Sequence, residues 1–369
     1  MPLEIRLLKE LEYRAVNDFY NTTTNIDRAA PKTARTYNEF CWEFIHCTKG
    51  KAIYAGAWEI EKEKEPVLVG VICVIILKML DEGGSQILTA KGEAALIDFK
   101  AFLKHKKTDI LKELFAVLIA ECRSQGVEFL WGFNNIPATY KRLGFENPFK
   151  SFYGIIVLKP FKAYKNIALL KETNTVWGKL KIIALTGLAR LFSLKKMFIV
   201  SRKNKYTINF ELDENKTLFA NASRTDKLVF LVQDKDFFNR RILENPHPIN
   251  YKSYQLFDNT TLVAQVICSV KDDVAFIEQT LFDKKLSKKN IYYLLKYVLQ
   301  SLQNENVCLV RYMGFKNNPL NLKEMNCLKS LGLILTGKGE WFTFKNLSDE
   351  SLIKPENIYF SRMYKQGVN

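Results

Sequence analysis

The chain has 369 residues and a formal net charge of +16, which is more than one ordinary domain holds and points to two. With 47% hydrophobic residues, 26 Phe and 16 Tyr it can bury large cores, which excludes a disordered chain. Seven scattered cysteines without CxxC spacing and only three histidines argue against a zinc site or a disulfide framework, and for free thiols in a reducing, cytoplasmic setting.

The first ten residues are charged and carry no long apolar run, so a secretory signal peptide is not expected. Residues 5–8 alternate like a strand, and 10–20 space Leu11, Val16 and Phe19 as a helix does. Residues 37–48 form an aromatic helix with Phe40, Trp42 and His46. A strand over 52–60, a charged turn at 61–65 and a long apolar strand over 67–80 follow. The next strand is expected over 94–102, bearing Asp98. A clear amphipathic helix covers 108–124, with Ile110, Leu114, Phe115, Leu118 and Cys122 on one side. A short apolar strand, 129–133, then meets a polar break at Asn134 and Asn135; a helix begins near Pro137 and stops at Gly144. An aromatic strand over 149–158 ends this unit.

Residues 161–200 break the rhythm. Within them 176–196 mix Trp177, Leu180, Leu188 and Phe192 with Lys179, Lys181, Arg190, Lys195 and Lys196. The stretch is too interrupted to span a bilayer, and reads as an interdomain helix or as one lying on an anionic membrane. The second half repeats the first in outline. A hairpin over 206–220, a strand over 228–232, a short helix over 236–245 and a hairpin of 251–257 with 262–270 come first. A strand over 274–282 with Glu278, a helix over 291–303 and a strand over 307–315 complete the copy. Asn317, Asn318 and Pro319 mirror Asn134 to Pro137, and Leu331-Gly332-Leu333 mirrors Leu143-Gly144-Phe145. Leu328 stands where the first half has Tyr140.

The run Phe129 to Phe145, with Asn135, Ala138, Tyr140, Gly144 and Phe145, resembles the strand-to-helix turn of the GCN5-related N-acetyltransferases. That resemblance covers residues 5–158 and, through the order of elements, 206–344. It implies a mixed α/β fold of two tandem units, each a mostly antiparallel twisted sheet flanked by helices. The units are 1–160 and a degenerate 201–369, joined by 161–200. It also implies an acyl-CoA donor, acetyl-CoA in the first instance, with no metal. In that family the tyrosine often protonates the leaving thiolate, a role that falls on Tyr140; the alternative is a ring packed on the sheet.

The family's pyrophosphate loop carries glycines because backbone N–H groups must approach the phosphates at a helix N-terminus. Here the place is held by Lys104, Lys106, Lys107, Thr108, Asp109 and Ile110. The lysines attract a pyrophosphate, and Asp109 either repels it or simply caps the helix. Asn134 and Asn135 sit at the splayed strand end that holds the acyl arm. Glu93 and Asp98 are the candidate bases, and Trp42 and His46 the candidate acceptor contacts. The expected function is transfer of an acyl group from thioester to a small-molecule amine, such as an amino sugar or a cell-surface precursor. The alternatives are a non-catalytic scaffold, or an aminoacyl-tRNA-dependent peptidoglycan-type transferase. The basic charge suits phosphate-bearing ligands; no nucleic-acid module is recognisable, so no specific nucleic-acid partner is expected.

Overall fold

A computed structural model describes residues 2–24, 34–45, 52–159, 227–348 and 353–364, with Tyr206–Ile208 and isolated positions between 162 and 187. The first half runs β1 (Leu3–Leu7), α1 (Tyr13–Thr22), α2 (Tyr37–Phe40), β2 (Ala52–Glu59), β3 (Val67–Leu80) and β4 (Gln86–Ile97). It continues with α3 (Phe99–Lys104), α4 (Ile110–Ser124), β5 (Phe129–Asn134), α5 (Pro137–Arg142) and β6 (Lys150–Val157). The second half has β7 (Tyr206–Ile208), β8 (Phe230–Leu231), α6 (Lys235–Phe238), β9 (Asn250–Asp258), β10 (Thr261–Lys271) and β11 (Val274–Phe282). Then come α7 (Lys288–Asn304), β12 (Leu309–Gly314), α8 (Pro319–Ser330) and β13 (Ile334–Asn346). Both α2 and α6 continue into a wider π turn, Cys41–Ile45 and Asn239–Leu243, so this irregularity is itself repeated.

One sheet runs through both halves in the order β1-β2-β3-β4-β5-β13-β6-β12-β11-β10-β9-β7, with β8 on the end of β3. The pairing is antiparallel except for two parallel contacts, β4 with β5 and β11 with β12, one in each half. The halves exchange strands at the centre. β6 of the first half pairs with β12 and β13 of the second, and β13 in turn pairs with β5. The interlock is polar as well as apolar. Asn134 Nδ2 on β5 donates to Thr343 Oγ1 on β13 at 2.8 Å and to Asn147 Oδ1 at 3.0 Å.

Apolar alternation decides which face of each strand is covered. Ala55, Ala57, Val69, Ile72 and Val74 pack beneath α4 through Ile110, Leu114, Leu118 and Cys122. On the other face Tyr54, Val71, Cys73, Ile75 and Trp131 meet α1 and α2. The C-terminal segment crosses this second face. Phe360 is buried, its ring centroid 4.5 Å from Phe342, 5.2 Å from Phe315 and 6.1 Å from Trp131. Burying such a ring is worth roughly 2–3 kcal/mol by transfer alone, so the segment fastens the two halves together.

One expectation changes, one strand pairs where none was expected, and two stretches go undescribed. The stretch 94–102 is not one strand: β4 spans Gln86–Ile97, Asp98 Oδ1 accepts from Ala101 N at 2.9 Å, and this cap starts α3. Phe99, Phe102 and Leu103, which suggest a strand by their apolarity, stand 40–47% exposed on that helix. β8 leaves its own half and pairs with the end of β3. His46 and nearly all of the basic stretch 176–196 lie outside the described residues. Among the described residues no helix is long and apolar enough to cross a membrane.

Candidate active site

The site begins where β4 and β5 part. Their parallel pairing lasts only from Thr89–Phe129 to Lys91–Trp131. At Gly92 and Gly132 the backbones still crowd: a Cβ on Gly132 would stand 3.1 Å from the Gly92 carbonyl oxygen. Beyond that point β4 bulges. Val71 opposes Leu96 and Cys73 opposes Glu93, so Ala94 and Ala95 together face the single Ile72. Ala94 takes φ +44°, a left-handed conformation disfavoured for a residue with a Cβ and characteristic of sites where the backbone is aimed deliberately. Tyr20 on α1 holds it there, its hydroxyl donating to the Ala94 carbonyl at 2.6 Å. The bulge therefore turns peptide groups out of the ladder at the mouth of a V-shaped opening. Ala95, Asn135 and Ile136 at its rim are exposed.

On the α1 and α2 face, charged groups gather below the opening. Lys91, its side chain 3% exposed, pairs with Glu93 and stands 5.9 Å from the Trp131 ring centroid. Glu43, on the π turn after α2, pairs with Arg35 at 3.0 Å. Burial pushes the Glu43 carboxyl above its ordinary range, against the pull of Arg35, Arg241 and Lys91. Trp42 Nε1 donates to the Arg240 carbonyl at 2.8 Å, so the two π turns touch. Trp42, Glu43, Lys91, Arg241 and Tyr364 line one narrow cleft built from both halves.

On the opposite face lie the residues expected to meet a pyrophosphate. Asp109 is the N-cap of α4, accepting from Lys112 N at 3.2 Å, and its other oxygen lies 3.3 Å from Arg142 on α5. The helix end that the glycine loop would open to phosphate is thus occupied by the chain's own carboxylate. Lys106, Lys107 and Thr108 are exposed around it. Lys104 Nζ lies 2.7 Å and His105 Nε2 2.6 Å from the two oxygens of Glu59. Burial raises the Glu59 carboxyl, but these two hydrogen bonds outweigh it and hold it low. Ile110 is buried in the α4 core.

Tyr140 sits on α5, its ring edge-on to Phe115 and Phe145 at centroid distances of 5.8 and 5.5 Å. Burial pushes its phenol up to about 12, so it is protonated at neutral pH. The expected residues therefore divide. Glu93 lies beside the bulge; Asp98 caps α3; Tyr140, Asp109 and the lysines lie on the α4 face. Asn134 ties β5 to β13, Asn135 is exposed on the rim, and Trp42 seats the two π turns together. Sequence reasoning overlooked Lys91, Glu43, Tyr20 and Arg241. Lys91 alone left a signal, as a lone cation in the otherwise uncharged run 86–92.

The second half repeats the parting of strands but closes it. β11 and β12 pair in parallel only from Val274–Leu309 to Ile277–Tyr312, and Glu278 is the bulged residue against β10. Asn317 and Asn318 Nδ2 donate to the Ile358 carbonyl at 2.5 and 3.0 Å, and Asn321 Nδ2 donates to the Phe360 carbonyl at 2.8 Å. The Tyr359 hydroxyl donates to the Thr280 carbonyl, and Arg362 pairs with Glu278. Residues 358–362 thereby bridge β11 to α8 and fill the second V.

No family model matches the chain, and no curated protein matches it in sequence. Solved structures do. A conserved protein of unknown function from Enterococcus faecalis, described as a probable N-acyltransferase, matches with TM-score 0.59 at 8% identity, over 94% of this chain and 73% of its own. A tandem GNAT (GCN5-related N-acetyltransferase) protein from the clavulanic acid biosynthesis pathway matches with TM-score 0.55 at 11% identity, over 95% of this chain and 100% of its own. Saccharomyces cerevisiae N-myristoyltransferase, solved with myristoyl-CoA bound, matches with TM-score 0.54 at 12% identity, over 98% and 84%.

Proposed function

Proceeding from a chain with the tandem acetyltransferase fold over nearly its whole length, we propose that it is an acyl-CoA-dependent N-acyltransferase whose working cleft is the first half's V. The observation that carries this reading is the parting of β4 from β5 at a strained bulge, open at its rim and backed by the buried Lys91 paired with the half-buried Glu93. The three structural neighbours, whose descriptions all name an acyl donor or acyl transfer, lend it support.

An acyl thioester supplies an electrophilic carbonyl and a thiolate leaving group. The bulge at Ala94 aims backbone N–H groups at the place where the carbonyl oxygen becomes negative. Glu93 takes the proton from the attacking amine, and Lys91 holds that carboxylate in place. Tyr140 donates a hydrogen bond to the sulfur. A phenol near 12 is a weaker acid than a thiol near 8.5, so its contribution is stabilisation of the thiolate before full proton transfer. Lys106 and Lys107 attract the phosphates, with Asp109 working against them. Glu43 and Trp42 face the acceptor amine, which reaches the V from the α1 and α2 face.

The same Asp109 cap favours a second reading, in which the fold is retained for binding and the donor is lost. Calorimetric titration with acetyl-CoA and free coenzyme A, followed by thiol-release assays over amine acceptors, separates the two. Binding at one site per chain with thiol release that falls roughly 10²-fold in Glu93→Gln supports the transferase. A folded protein that gives no heat with either ligand supports the scaffold.

A further inference from the structure

The second half contains a cavity that the acyl-transfer reading does not use. It lies on the face of the sheet opposite α7. Tyr254 packs on that helix, its ring 6.3 Å from Tyr297, whereas Tyr251, three residues earlier, points the other way and lines the cavity. The volume is about 200 Å³, somewhat more than the roughly 150 Å³ that accommodates benzene in an engineered core. Its walls are apolar at Val274, Phe276 and Ile249 and strongly charged elsewhere. Arg241, Lys271, Arg311 and Arg362 face Asp272 and Glu278, a surplus of cations.

Two buried atoms of residues that line this cavity want partners of opposite kind. Arg362 pairs with Glu278, and Ser269 Oγ donates to Glu278 Oε1 at 2.5 Å, but Glu278 Oε2 is buried without a hydrogen bond. The whole Glu278 side chain is 2% exposed. Arg311 Nε is likewise buried without a partner, and among the described residues Arg311 makes no ion pair. Its guanidinium lies 5.3 Å from the centroid of Phe276, against which Arg362 stacks at 4.0 Å. Burial and the neighbouring Arg362 charge both work against the Arg311 charge. An orphaned cationic donor and an orphaned carboxylate oxygen each cost more than an ordinary hydrogen bond is worth. Arg311 pairs in register with Phe276, and Glu278 is two residues further along β11, roughly 7 Å at the strand rise.

We propose that this cavity binds a small molecule of the α-amino-acid class, its carboxylate on Arg311 and its ammonium group on Glu278 Oε2, with an apolar side chain against Phe276 and Val274. A plain anion would satisfy Arg311 and leave Glu278 orphaned; a plain amine would do the reverse. This inference does not depend on acyl transfer in the first half. Arg241 lines both this cavity and the first-half cleft, which places the two sites against one common side chain.

The test is binding of the twenty common amino acids, propionate, ethylamine and inorganic phosphate to the full chain, by thermal shift and then calorimetry. The expected result is saturable binding of one or more apolar amino acids, at least roughly tenfold tighter than propionate, ethylamine or phosphate. Arg311→Met should weaken it by roughly tenfold or more, the worth of one charge-assisted hydrogen bond. Should that variant fail to fold, Arg311→Lys keeps the charge and removes Nε, and the same loss is expected. No binding by any amino acid overturns the proposal. So does phosphate or propionate binding as tightly as the best amino acid, which would be an adventitious ion only. Undiminished binding in a folded Arg311 variant overturns it as well.

Discussion

Asp109→Asn isolates the feature that most separates this chain from a glycine-loop acyltransferase. Asn and Asp cap helices about equally well, so the hydrogen bond to Lys112 N survives and stability should change by under ~1 kcal/mol. The lost ion pair to Arg142 adds little, because Arg142 is 68% exposed and exposed pairs are worth about 0–1 kcal/mol. What changes is the charge at the helix end. A carboxylate about 6 Å from a phosphate charge in water repels it by roughly 0.7 kcal/mol, so a pyrophosphate feels about twice that. The helix dipole, no longer neutralised, adds ~0.3–1 kcal/mol in favour of an anion. The sum, roughly 2 kcal/mol, is a gain in coenzyme A affinity of about thirtyfold. Calorimetry at low salt reads it directly, and the gain should shrink when ionic strength reaches about 0.5 M. An unchanged or weaker affinity in a folded variant would mean that the phosphates do not sit at the start of α4.

Three further outcomes follow from particular contacts. Phe360→Ala should destabilise the protein by roughly 3–5 kcal/mol, seen as a lower urea midpoint, because the buried ring touches strands from both halves; a shift under 1 kcal/mol would show that the C-terminal segment is not a fastener. Tyr140→Phe keeps the packing on Phe115 and Phe145, so a loss of kcat of roughly 10²-fold or more with coenzyme A affinity retained would mark the hydroxyl as chemical, and an unchanged kcat would leave it as packing. Burial beside Tyr312 and Thr280 pushes the Glu324 carboxyl up to about 8, while in the unfolded chain it titrates near 4.3. The fold holds the neutral acid, so this contribution is intact below about pH 4 and is lost as pH rises towards 8, by up to a few kcal/mol. Thermal melts between pH 5 and 8 should slope downwards in the native chain and flatten in Glu324→Gln; an identical slope in both would exonerate Glu324.

Much of the fold was legible because its signals are local. The amphipathic stripe of α4, the Asn-to-Gly turn around α5 and the hairpin of β9 with β10 are each written in a dozen residues. The tandem order was legible too, since Asn317 to Gly332 repeats Asn134 to Gly144 in outline. The helix at 99–104 was not, because Phe99, Phe102 and Leu103 are apolar yet exposed and a single Asp98 cap decides the matter. Only one side of the candidate site stands out in the sequence. Tyr140 and Asp109 stand in a recognisable pattern, whereas Lys91, Glu43 and Arg241 come from separate elements and meet only in the folded chain. No spacing rule links a strand lysine to a glutamate 48 residues earlier and an arginine 150 residues later.

The exchange of β6 and β13 explains why the two halves could diverge so differently. Each V requires a strand beside its outer arm, and each half obtains that strand from the other: β13 lies against β5, and β6 against β12. Neither half can therefore lose its sheet without exposing the other's, and selection on fold acts on both together. The ligand-facing features carry no such mutual dependence. In the first half the opening is kept and the helix end is closed by Asp109. In the second the opening is filled by residues 358–362, anchored on Asn317, Asn318 and Thr280. The same segment delivers Arg362 to Glu278 and so completes the charged wall of the second cavity. Closing one V thus builds a different site beside it, which is a physical reason for the second half to retain buried charge where a purely structural copy would have become apolar.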